Sequence, residues 1–340
     1  MFVTFVPFFA IRHLMNSSLK DKTTEELEHI VTESGSPQKR VEALLELSQR
    51  IALKDMLRSW LLAREAERDA EELENDTLLA KANIQAGNAL WKMGDYMNAQ
   101  KHYMKAAELY GNLNDSSGLG QAYTGLGIVH GSLKDFPQAL EYFERALAQS
   151  EISGSIVSAA NAIGNIGSVH HHLDNYSKAE AFFHKALEMH EQMNEKPGIA
   201  NMLNGLAGVK VYNGKFDQAM DYLNRYLEIV TVIENNHGIA TGLMNYGILH
   251  HKKGDYRQAI DFLEKALLHA ESKKVRSVKF AIHKNMADVY TDMGKSEKAL
   301  EHYKHYFEIE KEMKAKEIKE KTEMFERMKN AESGGKKNVA

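Results

Sequence analysis

A forty-residue period runs through this chain, and no other feature narrows its fold as much. Written in blocks of forty from Lys81, six blocks align without a gap and end at Glu320. Position seven holds Gly87, Gly127, Gly167, Ala207, Gly247 and Ala287. Position nineteen holds Ala99, Ala139, Ala179, Ala219, Ala259 and Ala299, alanine in all six. Position sixteen is aromatic five times (Tyr96, Phe136, Tyr176, Phe216, Tyr256), with Ser296 the exception. Position twenty-three is always large and apolar: Tyr103, Phe143, Phe183, Leu223, Leu263, Tyr303. Self-similarity at this period is the signature of an array of stacked units.

Within one block the pattern is that of a helical hairpin. Ile163, Ile166, Gly167 and His170 recur at spacings of three and four, one stripe of a first helix. A break follows at position fourteen, where Gly94, Gly214, Gly254 and Gly294 can take the left-handed conformation that closes a helix. The next residue is Asp95, Asp135, Asn175 or Asp255, a side chain suited to capping a second helix, and Pro137 lies just inside such a start. Ala139, Phe143 and Ala146 then share one face of that helix. Two helices approach to about 8–10 Å only where side chains are small, so positions seven and nineteen mark the crossings. A lone hairpin cannot bury both its faces, so the units must stack. The expected fold is an all-α solenoid.

Residues 41–80 read as a degenerate seventh block, a capping unit. Ser59 and Ala66 keep the small sites of its second helix, and its first helix fits if Ser48 takes the small site one residue out of register. Residues 23–40 form an N-terminal helical segment: Thr23 and Glu26 make a capping box, and Ser36-Pro37 starts the following helix. Residues 1–22 are set apart as a leader. Phe2 to Ile11 is apolar, contains Pro7 and has no preceding Lys or Arg, and Met15 opens a polar stretch. The leader is expected to lie outside the fold, with an export signal and a short apolar anchor as alternatives.

Composition removes several function classes. The sequence has no cysteine, which excludes disulfides, thiolate-held metals and thiol catalysis. A formal charge of −4 offers no electrostatic reason to expect nucleic acid as partner. No apolar run reaches the roughly 18 residues of a membrane span, so no stable membrane insertion is expected, and the location expected is cytoplasmic. No phosphate-binding glycine loop, nucleophile elbow, HExxH or paired-carboxylate motif is present. The expectation is therefore a protein without enzyme activity, cofactor or metal.

The small residue at seven, the aromatic at ten or sixteen, alanine at nineteen, aromatic at twenty-three and alanine at twenty-six resemble the tetratricopeptide repeat. Gly254-Asp255-Tyr256-Arg257-Gln258-Ala259 and Phe262-Leu263-Glu264-Lys265-Ala266 are similar to its most typical form. The resemblance covers residues 41–320 and implies a right-handed superhelical solenoid of antiparallel helix pairs. Two departures stand out: Tyr226 and Tyr306 replace the late alanine, and the usual proline after the second helix is missing. Repeats of forty are similar to those of G-protein-signalling modulators that bind extended peptides. They also resemble the regulatory regions of bacterial cyclases, sensor kinases and quorum-sensing regulators, and the last block most resembles this bacterial group. The resemblance implies a scaffold that binds a partner protein or extended peptide in a concave groove. The alternative it implies is a sensory module acting on a separate or missing output domain.

The same resemblance places positions one, four, five, eight, eleven and twelve of each first helix on the inner face. These supply Asn88, Trp91, Asn165, His171, His172, Asn204, Tyr212, Asn245, His251 and Asn285 as candidate partner-binding residues. A ladder of asparagines, each a donor and an acceptor, can pair with a peptide backbone, while Trp91 and Tyr212 grip apolar side chains. The competing reading is that these asparagines cap or brace neighbouring helices, and that His171 and His251 are merely solvated. The family's carboxylate clamp needs Lys, Asn and Asn where this chain has Ile84, Asn88 and Gly125, so it is not supported. His130, His170 and His250 share position ten, which should face the partner helix. His170, His171 and His172 are consecutive and spread around a helix, so they cannot converge on one ion; His302 and His305, three residues apart, could pair on a metal, but packed histidine is preferred.

Beyond Glu308 the sequence is charged to Lys329, with a sparse apolar stripe of Ile318, Met324, Phe325 and Met328. A helix capping block six is preferred there to a dimerising or linker helix, because a coiled-coil seam traced from Tyr306 would contain Glu310, Glu317 and Glu320. Residues 321–340 are read as the end of this helix and a flexible tail, starting about residue 333.

Overall fold

The protein is described by a computed structural model over residues 19–52 and 55–335. Phe2 to Ile11 and Met15 lie outside the described residues. The chain forms a short 3-10 turn, Leu19–Asp21, and fifteen α-helices, with no strand among the described residues. It divides into two compact units, Met1–Asp135 and Phe136–Ala340. The first holds α1 (Thr24–Glu33), α2 (Pro37–Ile51), α3 (Met56–Glu72), α4 (Asp76–Lys92), α5 (Tyr96–Asn112) and α6 (Ser116–Ser132). The second holds α7 (Phe136–Ser153), α8 (Ile156–His172), α9 (Tyr176–Gln192), α10 (Lys196–Tyr212) and α11 (Phe216–Val232). It continues with α12 (Asn236–Lys253), α13 (Tyr256–Ser272), α14 (Arg276–Asp292) and α15 (Ser296–Gly335). In each unit a helix packs on its successor, and the first helices of successive hairpins also touch, α4 on α6 and α12 on α14.

Both kinds of turn close through a residue in the left-handed region. Inside hairpins this is position fourteen: Gly94, Lys134, Asp174, Gly214, Gly254 and Gly294, all with positive φ. Between hairpins it is position thirty-four, where Glu74, Asn114, Asn194, Glu234 and Lys274 adopt φ of 50–57° although none is glycine. The amide one residue later then reaches back five positions, as Asn75 N–H does to the Ala70 carbonyl at 3.0 Å, satisfying a helix-end acceptor.

Helix caps fall elsewhere than the sequence suggests. Asp95 does cap its helix, accepting from the Asn98 amide. Asn175 and Asp255 make no cap bond; the Asp255 carboxylate lies 3.6 Å from His250 and 3.8 Å from Lys253 instead. The regular caps are at the other turn, where Asn75, Asp115, Ser155, Glu195 and Asn235 each accept from the backbone amide three residues on.

The small positions do mark the crossings. All six position-nineteen alanines are buried. A Cβ on Gly87 would stand 2.8 Å from the Tyr103 ring, and one on Gly125, in the next hairpin, 2.4 Å from the same ring. Phe183 is clasped in the same manner by Gly167 and Gly205. Tyr103 and Phe183, both at position twenty-three, are thus wedges whose two flanks require backbone without side chain.

In the first unit Ser48 does take the small site of the degenerate block. Its hydroxyl donates to the Ser59 carbonyl and the Ser59 hydroxyl to the Ser48 carbonyl, both at 2.8 Å. The capping box of Thr23 and Glu26 is formed at the start of α1. Contacts reach back to Leu19, inside the segment set apart as leader: Arg50 donates to the carbonyls of Leu19, Lys20 and Lys22. Charge is woven through this unit, with Arg40 against Glu65 and Asp69, and Glu67 against Arg64 and Lys105.

At the other end the exit helix is no separate cap. α15 is one continuous helix of 40 residues that begins as the second helix of block six and includes Gly334 and Gly335. No proline, and no glycine before Gly334, interrupts it, and Met313 and Ile318 remain exposed. Among the described residues no helix is long and apolar enough to cross a membrane.

Candidate functional site

Five of the ten inner-face residues come together in the second unit. His171, His172, Asn204, Tyr212 and Asn245 line one cavity of about 350 Å³, within the range of ligand pockets. They reach it from three successive first helices, α8, α10 and α12. This follows from the forty-residue period, which returns the same helical position to the same face in every hairpin. The floor is apolar, made by Phe183, Ala207, Val211, Leu223 and Ile248.

Its polar feature is a pair of amides. Asn245 Nδ2 donates to Asn204 Oδ1 at 2.6 Å, across two neighbouring hairpins. Each amide has four hydrogen-bonding positions, so this one bond leaves donors on Asn204 and an acceptor on Asn245 for other partners. One wall is a set of rings. Tyr176 and Tyr212 stack at 5.0 Å, His171 meets both edge-on, and His172 stacks on Phe136 at 5.6 Å. Burial, then the neighbouring His172, lowers the pKa of His171, so its ring favours the neutral form. Asp174 accepts the Tyr176 hydroxyl at 2.6 Å and holds that phenol up at about 12. Tyr212 is 60% exposed at the edge of the cavity.

The other five candidates are not brought to the cavity. In the first unit, Asn88 accepts the Tyr103 hydroxyl at 2.7 Å and the Trp91 indole donates to Ser132 at 2.9 Å. In the second unit, His251 bonds Asp292 at 2.8 Å and Asn285 donates to the Ala281 carbonyl of its own helix. Asn165 is half-buried on α8. Asn88 thus has the bracing arrangement that competes with the ladder.

Ser168, Gly205, Gly208 and Ile248 also line the cavity and were missed by sequence reasoning. The signal was present. Gly205 and Gly208 occupy positions five and eight of one helix, both inner-face positions, and neither serves a turn. A Cβ on Gly208 would meet only His171 Nε2, at 3.4 Å, so this glycine leaves open space rather than fitting a neighbour.

Two of the position-ten histidines pack against the partner helix: His170 stacks on Phe182 at 5.4 Å and His250 on Phe262 at 5.3 Å. His130 bonds Asp135, in the turn after its own helix, at 3.0 Å. His302 faces His283 rather than pairing with His305: the two Nδ1 atoms are 3.0 Å apart, and the His302 ring stacks on Tyr290. Among the described residues no group of three or more His, Asp or Glu is arranged to hold a metal ion.

A tetratricopeptide-repeat signature matches residues 78–151, 158–231 and 238–312, more than half of the chain. The chain belongs to the tetratricopeptide repeat family. The three matches begin close to α4, α8 and α12 and each spans two repeats, so the family's phase agrees with the hairpins described above. No curated protein matches the sequence.

Among solved structures, the chain is similar to a Rap protein complexed with competence and sporulation factor. The identity is 16% over 90% of this chain and 84% of that one, with a TM-score of 0.70. A second is the Rap conjugation gene regulator of plasmid pLS20 in complex with the Phr* peptide, 16% identical over 91% and 84%, with a TM-score of 0.68. A third is aspartyl phosphate phosphatase F from Bacillus subtilis, 14% identical over 88% and 79%, with a TM-score of 0.64. Identities this low speak for a shared repeat architecture and for nothing finer.

Proposed function

We propose that this tetratricopeptide-repeat chain is a non-catalytic scaffold that takes an extended peptide, free or as part of a partner protein, on the inner face of the second unit's first helices, α8, α10 and α12. The observation that carries the reading is the Asn204–Asn245 amide pair above an apolar floor. An extended peptide offers one N–H and one C=O per residue plus an apolar side chain, and this site offers a complement to each. Two structural neighbours are described with a bound peptide or factor, which supports the reading by analogy. A third neighbour is named a phosphatase. In the present cavity the Ser168 hydroxyl donates to the Gly164 carbonyl of its own helix at 3.1 Å and not to His171 or His172, which supports keeping the non-catalytic reading.

The alternative is a sensory module of a bacterial signalling system, working on a separate output protein in the cytoplasm. It is favoured by the neighbour described as a conjugation gene regulator, and it uses the same groove. Homodimerisation through α15 is a subsidiary proposal, supported by the exposure of Phe307, Met313 and Ile318 on that helix.

The test is peptide capture by the full chain, wild type against Gly208→Leu. The leucine fills the cavity from a position whose Cβ has room. Peptides retained by wild type and lost by the variant support the groove as the site; equal retention by both rejects it.

A further inference from the structure

The lining of the cavity has a property that says more about its occupant than the fold does. More than a quarter of this chain is Asp, Glu, Lys or Arg, yet none of these four residue types lines the cavity. The charged groups around it are committed elsewhere: Asp174, beside the ring wall, accepts the Tyr176 hydroxyl at 2.6 Å, and Lys210, on the same helix as Asn204 and Tyr212, is buried and bonded to Glu180 at 2.5 Å. The imidazole most enclosed by the rings, His171, favours its neutral form because of its burial. A charged side chain seated on the apolar floor would lose part of its water, and the lining offers it no opposite charge.

We infer that the cavity selects an uncharged peptide segment, seating one aliphatic or aromatic side chain on the floor formed by Phe183, Val211, Leu223 and Ile248. The inference rests on the peptide-binding reading above and names the chemistry of the ligand. The neutral amides of Asn204 and Asn245 hold one residue of the extended backbone, whose N–H and C=O point to the same side, the Asn204 amino group donating to its carbonyl and the Asn245 carbonyl accepting its N–H. Both contacts are indifferent to side-chain identity, so discrimination falls to the floor and to the absence of charge. Gly208 opens the space beneath this residue, and a side chain there would occupy what the anchor needs, whereas the space at Gly205 is filled by the Phe183 ring.

The experiment uses the immobilised full chain and a mixture of N-acetylated, C-amidated hexapeptides with every residue type represented at the two central positions. Bound peptides are sequenced by mass spectrometry, for wild type and for Gly208→Leu. Enrichment of Leu, Ile, Met or Phe in the Gly208-sensitive fraction, with Asp, Glu, Lys and Arg depleted about tenfold or more, is the expected result. Enrichment of any charged type in that fraction overturns the inference while leaving peptide binding standing. A bound fraction that ignores Gly208→Leu removes the peptide reading and the inference with it. Asn204→Asp, nearly isosteric and checked by an unchanged melting curve, gives an arm that does not depend on how the leucine variant folds. The added carboxylate should admit Lys- or Arg-centred peptides that wild type rejects; an unchanged preference counts against charge exclusion.

Discussion

The first unit, up to Asp135, and the second, from Phe136, are built from one repeat, yet their inner-face polar groups end in different places. In the first, Asn88 is bonded to Tyr103 and Trp91 to Ser132, and carboxylates and cations interlock around Glu67. In the second, Asn204 and Asn245 bond each other beside a cavity that carries no formal charge. The wedge at position twenty-three goes some way to explain the contrast. Tyr103 has a hydroxyl that reaches the inner-face asparagine of its own hairpin, whereas Phe183 and Leu223 have none and the asparagines above them turn to each other. Inner-face asparagines at different repeat positions, eight for Asn88, four for Asn204 and five for Asn245, therefore either brace their own hairpin or pair across two hairpins, in keeping with what the wedge beneath them offers.

The comparison breaks most completely at the wedge itself. Tyr103→Ala should destabilise the first unit by about 3–5 kcal/mol, since it empties the space between Gly87 and Gly125 and removes the Asn88 bond. Denaturant melting followed by far-UV circular dichroism should show the loss; a change below about 1 kcal/mol would mean that the wedge is not what holds these hairpins. Phe183→Ala should cost a similar amount in the second unit but carry no hydrogen-bond component.

Acid distinguishes the units next. Burial, followed by His302, His305 and Lys279, pushes the pKa of His283 down to about 4, against an opposing pull from Glu271. Burial also lowers His190, which is fully enclosed, with Glu195 acting against the shift. A histidine whose folded pKa lies below its unfolded value of about 6.5 stabilises the fold above that value, and the contribution is lost as pH falls towards the folded pKa. For His283 the window runs from about 6.5 to about 4 and the loss is about 2–3 kcal/mol. In the first unit His102 is also lowered by burial, with Glu67 pulling against the shift. Burial alone would raise Glu67, but Arg64, His102 and Lys105 outweigh it and hold the carboxyl low. By the same rule His102 costs the first unit stability as pH falls below about 6.5, and the Glu67 ion pairs give way only lower, as that carboxyl is protonated. Comparing wild type with His283→Gln between pH 7 and 4.5 checks this: the variant should show a flatter loss of stability, and parallel curves would contradict the assignment.

Two glycine-to-alanine changes sharpen the contrast further, because they should have opposite signs. Gly125→Ala forces a Cβ into the Tyr103 ring and should cost about 1–3 kcal/mol. Gly208→Ala meets only ordinary contact with His171, and alanine is the better helix former by about 1 kcal/mol, so stability should hold or rise. Thermal melts of the two variants decide the matter; a loss in both would mean that Gly208 is also a packing position.

Much of this was legible in the sequence because a solenoid repeats its own evidence. Six aligned blocks point to position nineteen as the crossing far more firmly than one helix could, and the structure buries all six alanines there. The turn at position thirty-four was harder to see: Glu74, Asn114, Asn194, Glu234 and Lys274 adopt a glycine-like backbone without being glycine. Asn175 and Asp255 have the composition of caps, but whether a carboxylate or amide caps or turns to a neighbour depends on tertiary placement. The site was half legible for a related reason. Sequence periodicity assigns a residue to a face, and five of ten assignments meet in one cavity. It does not show that Asn88 is bonded to a tyrosine fifteen residues on, because that depends on the rotamer and reach of Tyr103.

The smallest effect separates the two uses of asparagine directly. Asn88→Ala removes the partner of the half-buried Tyr103 hydroxyl and should cost about 1 kcal/mol of stability with no change in peptide capture. Asn245→Ala removes one neutral bond beside a solvent-reachable cavity, so stability should change by less than about 0.5 kcal/mol, while capture should fall about tenfold. Each variant is its partner's control. The melting curve of Asn88→Ala shows what a brace contributes, and the binding curve of Asn245→Ala shows what a ligand contact contributes. If Asn245→Ala lowers stability as much as Asn88→Ala and leaves capture intact, the amide pair is a brace like its counterpart in the first unit. The groove would then have to hold its peptide through the ring wall and the apolar floor alone.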